Sequence, residues 1–178
     1  MQGFSDEELI QEFKTTNGSQ RKKAFDCLYL RYAEPVIQYF YFTMNRDYEK
    51  SKDFAHDLFL KMLEAPEKID ANHPFKPWLY KVAANMCKNE YRKALVVNKF
   101  RDHIQKTDRH FSVLNDNEIL LSESIKKLNQ EQRSLIVLRF KINLSIKEIA
   151  AINECPEGTI KSRLFYAVKE LSKHYKNQ

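Results

Sequence analysis

The chain has 178 residues, 43% of them hydrophobic and 30% charged, with 30 Lys and Arg against 24 Asp and Glu for a net charge of +6. That length suits one ordinary domain or two small ones, and no apolar run approaches what a bilayer span needs. Three widely spaced cysteines (Cys27, Cys87, Cys155), five scattered histidines and only three glycines speak against a disulfide framework, a metal site and a phosphate-binding glycine loop, so no cofactor is expected.

The start, Met1 to Leu9, is acidic and polar, unlike a signal peptide, and a cytoplasmic protein is expected. Few glycines and long 3.6-period patterns predict an all-α chain. Ser5 with Glu8 forms a capping box, so a helix begins near Asp6. A second helix is expected from Gln20 to Phe42, with Phe25, Leu28, Tyr32, Val36 and Phe40 as its apolar stripe. Asn45 to Lys50 reads as a turn, and a third helix as Lys52 to Glu64, stopped by Pro66. A polar loop, Glu67 to His73, precedes a fourth helix from Phe75 to Ala94. Segment 95–117 is polar and without period, a linker. Four short helices follow, at about 118–128, 130–141, 145–153 and 156–174, with Asn129–Gln132 and Ser145–Glu148 as caps and Pro156 in a first turn. Two small helical domains, 1–94 and 118–178, are therefore expected. Their charges differ: residues 1–94 hold 15 basic and 14 acidic residues, 95–117 hold 4 and 3, and 118–178 hold 11 and 7. A basic C-terminal part suits a polyanion.

Leu144 to Leu171 has the form of a helix-turn-helix: a short helix with Ile146, Ile149 and Ala150, a turn at Asn153 to Cys155, then a longer helix. On a wheel of about 100° per residue, Ile160, Leu164, Ala167, Val168 and Leu171 gather on the core side. Thr159, Ser162, Phe165, Tyr166 and Lys169 lie opposite, flanked by Lys161 and Arg163. Hydroxyls and cations suit phosphates and base edges, and an outward Phe165 suits a thymine methyl. The bland alternative is a helical hairpin with an ordinary polar face.

Two faces of the N-terminal half carry further signals. In the third helix Asp53, Asp57, Lys61 and Glu64 form a polar stripe, with Leu60 and His56 beside it. An acidic stripe with an apolar anchor suits docking to a basic helical partner, and equally an ordinary amphipathic helix. In the fourth helix Lys81, Asn85, Lys88 and Arg92 share a narrow face without an acid, bordered by Trp78 and Asn89. Cations hold phosphates, amides read base edges, and a tryptophan stacks on an unpaired base. The alternative is a solvated basic face with Trp78 in the core.

Leu128 to Phe140, then LSIKEIA at Leu144 to Ala150, then CPEGTIKSRL at Cys155 to Leu164, resemble region 4 of sigma-70 family factors. Ser51 to Met62 resembles region 2.2 of that family, and Phe75 to Arg92 its regions 2.3 and 2.4. Asp6 to Ile10 and Ala24 to Tyr32 match its start. The resemblance covers both domains in order and fits the extracytoplasmic-function (ECF) group, which keeps only domains 2 and 4. Departures from the usual residues occur at His56, Ala84, Asn89 and Tyr166.

The resemblance implies a transcription initiation factor that binds core RNA polymerase and acts by binding, without being an enzyme. Asp53, His56, Asp57 and Leu60 would dock on the clamp helices of the β′ subunit. The Glu67–His73 loop (with Asp70 and Asn72), Trp78, Tyr80, Asn85 and Asn89 would capture the melted −10 strand, its backbone held by Lys81, Lys88 and Arg92. Thr159, Lys161, Ser162, Arg163, Phe165, Tyr166 and Lys169 would read the −35 element, with region 4 touching the β flap. Segment 95–117 would thread toward the RNA exit channel. An anti-sigma partner is common in the group. A stand-alone helix-turn-helix regulator remains the second reading. It leaves the Trp78 face and the Asp53–Leu60 stripe without a purpose.

Overall fold

The computed structural model describes residues 3–44, 47–70, 73–98 and 124–176. All regular elements among them are helical. They are α1 (Asp6–Thr15), α2 (Gly18–Thr43), α3 (Tyr48–Glu64), a 3-10 turn at Pro66–Lys68, α4 (Phe75–Asn98), α5 (Gln130–Ile136), a π-helical extension at Val137–Lys141, α6 (Ile146–Asn153) and α7 (Glu157–Lys176).

The capping chemistry works locally as the sequence predicts. Ser5 Oγ accepts from the Glu8 N–H at 3.2 Å while Glu8 Oε2 accepts from the Ser5 N–H at 2.7 Å. Asn129–Gln132 and Ser145–Glu148 form the same reciprocal pairs at the starts of α5 and α6. Each satisfies backbone donors that a helix start otherwise leaves unpaired.

Three boundaries differ from expectation. α3 begins at Tyr48, because Asp47 caps it by accepting from the Lys50 N–H at 2.9 Å. α4 runs four residues past Ala94, since Leu95 to Asn98 contain neither Pro nor Gly to stop it. The expected 130–141 helix is α from 130 to 136 and π beyond, closed by Asn143 in the left-handed region at φ 59. Of the helix expected at 118–128, residues 124–128 lie among the described residues, helical over 124–126, and the remaining linker, 99–117, lies outside them.

Helix α1 packs on α2, and α2 on α3 and α4. Leu9, Ile10, Phe13, Leu28, Val36, Phe40, Leu58 and Met62 fill the space between them and are all nearly inaccessible to solvent. Asp6, at the start of α1, accepts hydrogen bonds from Arg31 and from the Tyr32 hydroxyl, tying α1 to α2. In the C-terminal group α7 packs on α5 and α6. The two groups also pack on each other. One continuous core joins Tyr39, Tyr80, Ala83 and Ala84 to Leu135, Leu138, Ile149 and Ile152. Polar contacts lace the seam: Lys76 Nζ donates to the Ile142 carbonyl at 2.9 Å, and Gln130 Nε2 to the Cys87 carbonyl at 2.8 Å.

Candidate nucleic-acid interface

Helix α3 presents Asp53, His56, Asp57 and Leu60 to solvent, with Leu60 52% exposed. Its other side buries Ala55, Leu58, Phe59 and Met62. The acidic stripe with its leucine is thus a free surface on a helix whose opposite side is anchored in the core.

Helix α4 holds the basic face. Asn85, Lys88, Asn89 and Arg92 are exposed and Lys81 is half-buried. Trp78 is also half-buried, stacked on Phe75 with ring centroids 5.8 Å apart, and its indole N–H donates to the Lys68 carbonyl at 3.1 Å. That bond moors the 3-10 turn beside the face. Asp70, farther along the same loop, meets His73 Nδ1 at 2.6 Å. Asn72 lies outside the described residues.

Tyr80 corrects the sequence reading. Expected among the strand-capturing residues, it is fully buried, edge-on to Tyr39 with centroids 5.5 Å apart. The cause is the packing of α4, which is wedged between α2 and α6 and so buries residues on two sides. Ala84, one of the departures from the family's usual residues, is buried for the same reason.

Helix α7 presents Lys161, Ser162, Arg163, Phe165, Tyr166 and Lys169, with Thr159 half-buried. Phe165 and Tyr166 are 65% and 62% exposed, which leaves two aromatic rings aimed outward from a helix well anchored by Ile160, Leu164 and Ala167. Between Phe165 and α6 lies a shallow depression of about 450 Å³, lined by Ile146, Lys161, Leu164, Phe165, Val168 and Lys169. An apolar floor rimmed by two lysines suits a nucleotide, methyl groups below and phosphate above. Two expectations shift here. Val168 is 38% exposed on the rim of this depression, and Leu171 is only half-buried. Arg163 is held sideways by an ion pair with Glu131 of α5. The Ser162 hydroxyl donates to the Gly158 carbonyl of its own helix at 3.1 Å.

The molecule thus carries an exposed acidic stripe with a leucine, an amide-and-cation face beside a tryptophan, and a helix-turn-helix with an outward aromatic pair. Family comparison joins them. A Sigma-70 region 2 model matches residues 28–96, and a Sigma-70, region 4 model matches residues 124–173. The ECF RNA polymerase sigma-E factor of Escherichia coli strain K12 is 30% identical over 92% of this chain and 91% of its own length. The chain belongs to the sigma-70 family, in its ECF group.

The RNA polymerase sigma-H factor of Pseudomonas aeruginosa is 27% identical over 94% of this chain and 92% of its own. Two solved structures share the fold. CnrH in complex with the cytosolic domain of CnrY gives a TM-score of 0.73 at 19% identity, covering 97% of this chain and 98% of that one. The sigma factor RpoE in complex with the anti-sigma factor NepR from Bartonella quintana gives 0.69 at 23% identity, covering 86% and 98%. As an ECF sigma factor the protein binds core RNA polymerase and directs promoter-specific initiation at −10 and −35 elements.

Of the residues named from the sequence, Tyr80 is buried, Trp78, Lys81 and Thr159 are half-buried, Asn72 lies outside the described residues, and the others are exposed. Sequence reasoning misses Glu154, which sits at the turn of the helix-turn-helix and pairs with Lys81 of α4 at 2.8 Å. No spacing rule links two positions 73 residues apart. The one local sign is a glutamate in a left-handed conformation, φ 53, where a helix C-terminus ordinarily takes glycine.

Proposed function

We propose that residues 1–94 dock on polymerase and read the −10 element, and that residues 118–178 read the −35 element, with 95–117 as the connection. Asp53, His56, Asp57 and Leu60 contact the β′ clamp helices. Asn85, Asn89 and Trp78 capture the melted strand while Lys81, Lys88 and Arg92 hold its backbone. Each stacked base contributes about 1–3 kcal/mol, so base capture shifts duplex toward the open form. Lys161, Ser162, Phe165, Tyr166 and Lys169, with Thr159 beside them, meet the −35 duplex. Joint binding through one chain raises the effective concentration of each weak reader.

The observation that carries this reading is the exposed, acid-free row Asn85, Lys88, Asn89 and Arg92 beside a moored Trp78. The protein acts by binding, and core polymerase supplies the chemistry. No described helix is long and apolar enough to cross a membrane, and a cytoplasmic site of action, with the polymerase, fits that. RpoE was solved bound to an anti-sigma factor, and a protein of that kind is proposed as the regulator here. Run-off transcription with sigma-free core polymerase and genomic promoter fragments tests the whole. Discrete transcripts that require this protein support it. Duplex binding without core, and no transcripts, would favour a stand-alone regulator.

A further inference from the structure

Helix α7 contains a single arginine, Arg163. It stands three residues before Tyr166, so the two share one flank of the helix, while Lys161 and Phe165 share the other. Arg163 is turned toward α5, where it pairs with Glu131. Both side chains are about half accessible, 46% and 57%, so the pair adds little to stability. Its effect is on direction. Parting it would leave the Glu131 carboxylate bare beside the phosphates of a duplex on α7, and like charges so placed repel. The guanidinium therefore stays on α5 when DNA approaches.

The groove then meets other chemistry. Guanine shows the major groove two acceptors, N7 and O6, which a guanidinium reads with a fork of two donors. Lys161 and Lys169 rim the depression on the Phe165 side of α7. The outward part of the Arg163 flank is left to Ser162 and Tyr166, one turn apart. The Ser162 hydroxyl donates its proton to the Gly158 carbonyl at 3.1 Å, so its oxygen is left to act as an acceptor. Tyr166 is 62% exposed and edge-on to Phe165, with centroids 5.5 Å apart, so a steadied ring stands in solvent. An acceptor beside an apolar ring matches an A·T pair. That pair shows the groove the N6 amino group of adenine and the 5-methyl group of thymine.

We infer that this reader selects an A·T pair of the −35 element without a guanidinium. Ser162 accepts from the adenine amino group, the Tyr166 ring covers the thymine methyl, and Glu131 keeps Arg163 from reading a guanine beside them. This rests on the assignment of α7 to the −35 duplex. Tyr166 is the specificity-determining residue. Glu131 is a positioning residue, which acts through Arg163 and makes no contact with a base.

The test uses holoenzyme, formed from sigma-free core polymerase and the full chain, and a promoter fragment that gives a run-off transcript. The −35 region of the fragment is randomised, and the bound duplexes are sequenced. The wild type is expected to enrich an A·T pair. Replacing its thymine by uracil removes only the methyl and should weaken binding about fourfold, the effect of burying one methyl group. Tyr166→Ala should lose that penalty. Glu131→Gln keeps the size of the side chain and releases the guanidinium, so guanine should join the enriched bases at a neighbouring position. Adding Arg163→Ala should abolish that gain, which a mere disturbance of α5 would not do. Equal binding of thymine and uracil duplexes by the wild type overturns the proposal, and so do unchanged base preferences in Glu131→Gln. If the wild type enriches no −35 sequence while its transcript persists, α7 does not read that element, and the underlying assignment falls together with this inference.

Discussion

The Tyr39 hydroxyl lies 2.8 Å from the Ser134 hydroxyl, joining α2 to α5 across the seam between the two helical groups. Tyr39 is fully buried and meets Tyr80 edge-on. The Tyr80 hydroxyl, equally buried, finds no hydrogen-bond partner among the described residues. Two adjacent tyrosines thus place their hydroxyls in opposite circumstances.

Their phenylalanine variants should differ accordingly. Tyr39→Phe leaves Ser134 without its partner in a partly buried place and should cost about 1 kcal/mol. Tyr80→Phe removes a hydroxyl that makes no bond and should be neutral or slightly stabilising. Urea unfolding of the full chain, followed by circular dichroism, separates the two. Equal losses would contradict the contrast.

Asp57→Arg should abolish binding to core polymerase. Asp57 is exposed between Asp53 and Leu60 on α3, so the change reverses the sign of the docking stripe without touching the core. The helical circular dichroism signal should be unchanged. Normal affinity for core in this variant would remove the stripe from the polymerase interface.

Lys88→Ala with Arg92→Ala should shorten the lifetime of the open promoter complex and make it less tolerant of salt. Both side chains are exposed on α4, so folding should not suffer. The loss comes from phosphate contacts, whose contribution is salt-dependent by counterion release. Filter-binding decay measured across salt concentrations checks it, and identical lifetimes would refute the assignment.

Alkaline pH should destabilise the fold, in part through Cys87. Burial pushes its thiol from the ordinary 9.0 up to about 12. Above pH 9 the unfolded chain releases the proton while the folded chain keeps it. Stability therefore falls as pH rises, by about 1 kcal/mol between pH 8 and 10 from this group. Burial raises the Tyr39 and Tyr80 hydroxyls in the same direction, and they add to the loss at higher pH. Urea midpoints at pH 8 and pH 10 should show a smaller decline in Cys87→Ala than in the wild type. Parallel declines would show that Cys87 carries none of it.

Phe165→Ala with Tyr166→Ala should leave the melting temperature nearly unchanged, because both rings stand in solvent. Affinity for −35 duplex should fall. A stability loss without a loss of DNA binding would mean that the rings serve the fold.

What the sequence by itself determined is what lies within a few residues along the chain. The caps at Ser5, Asn129 and Ser145 close over three residues, and their hydrogen bonds follow from local backbone geometry. Periodicity identified the buried stripes of α2 and α3 and the outward residues of α7, because one helix face must meet the core. Residue patterns of that length sufficed for the family.

Only the tertiary structure decided how many sides of a helix are covered. A wheel assumes one buried face, but α4 is wedged between α2 and α6, so Tyr80, expected on the DNA face, lies in the core, and Ala84 is buried as well. Val168 moved the other way, onto the rim of a depression, because α6 leaves that part of α7 uncovered. Glu154 met Lys81 only because the chain folds back on itself. Burial and charge pairing across such distances depend on how whole helices pack, and no local pattern encodes that.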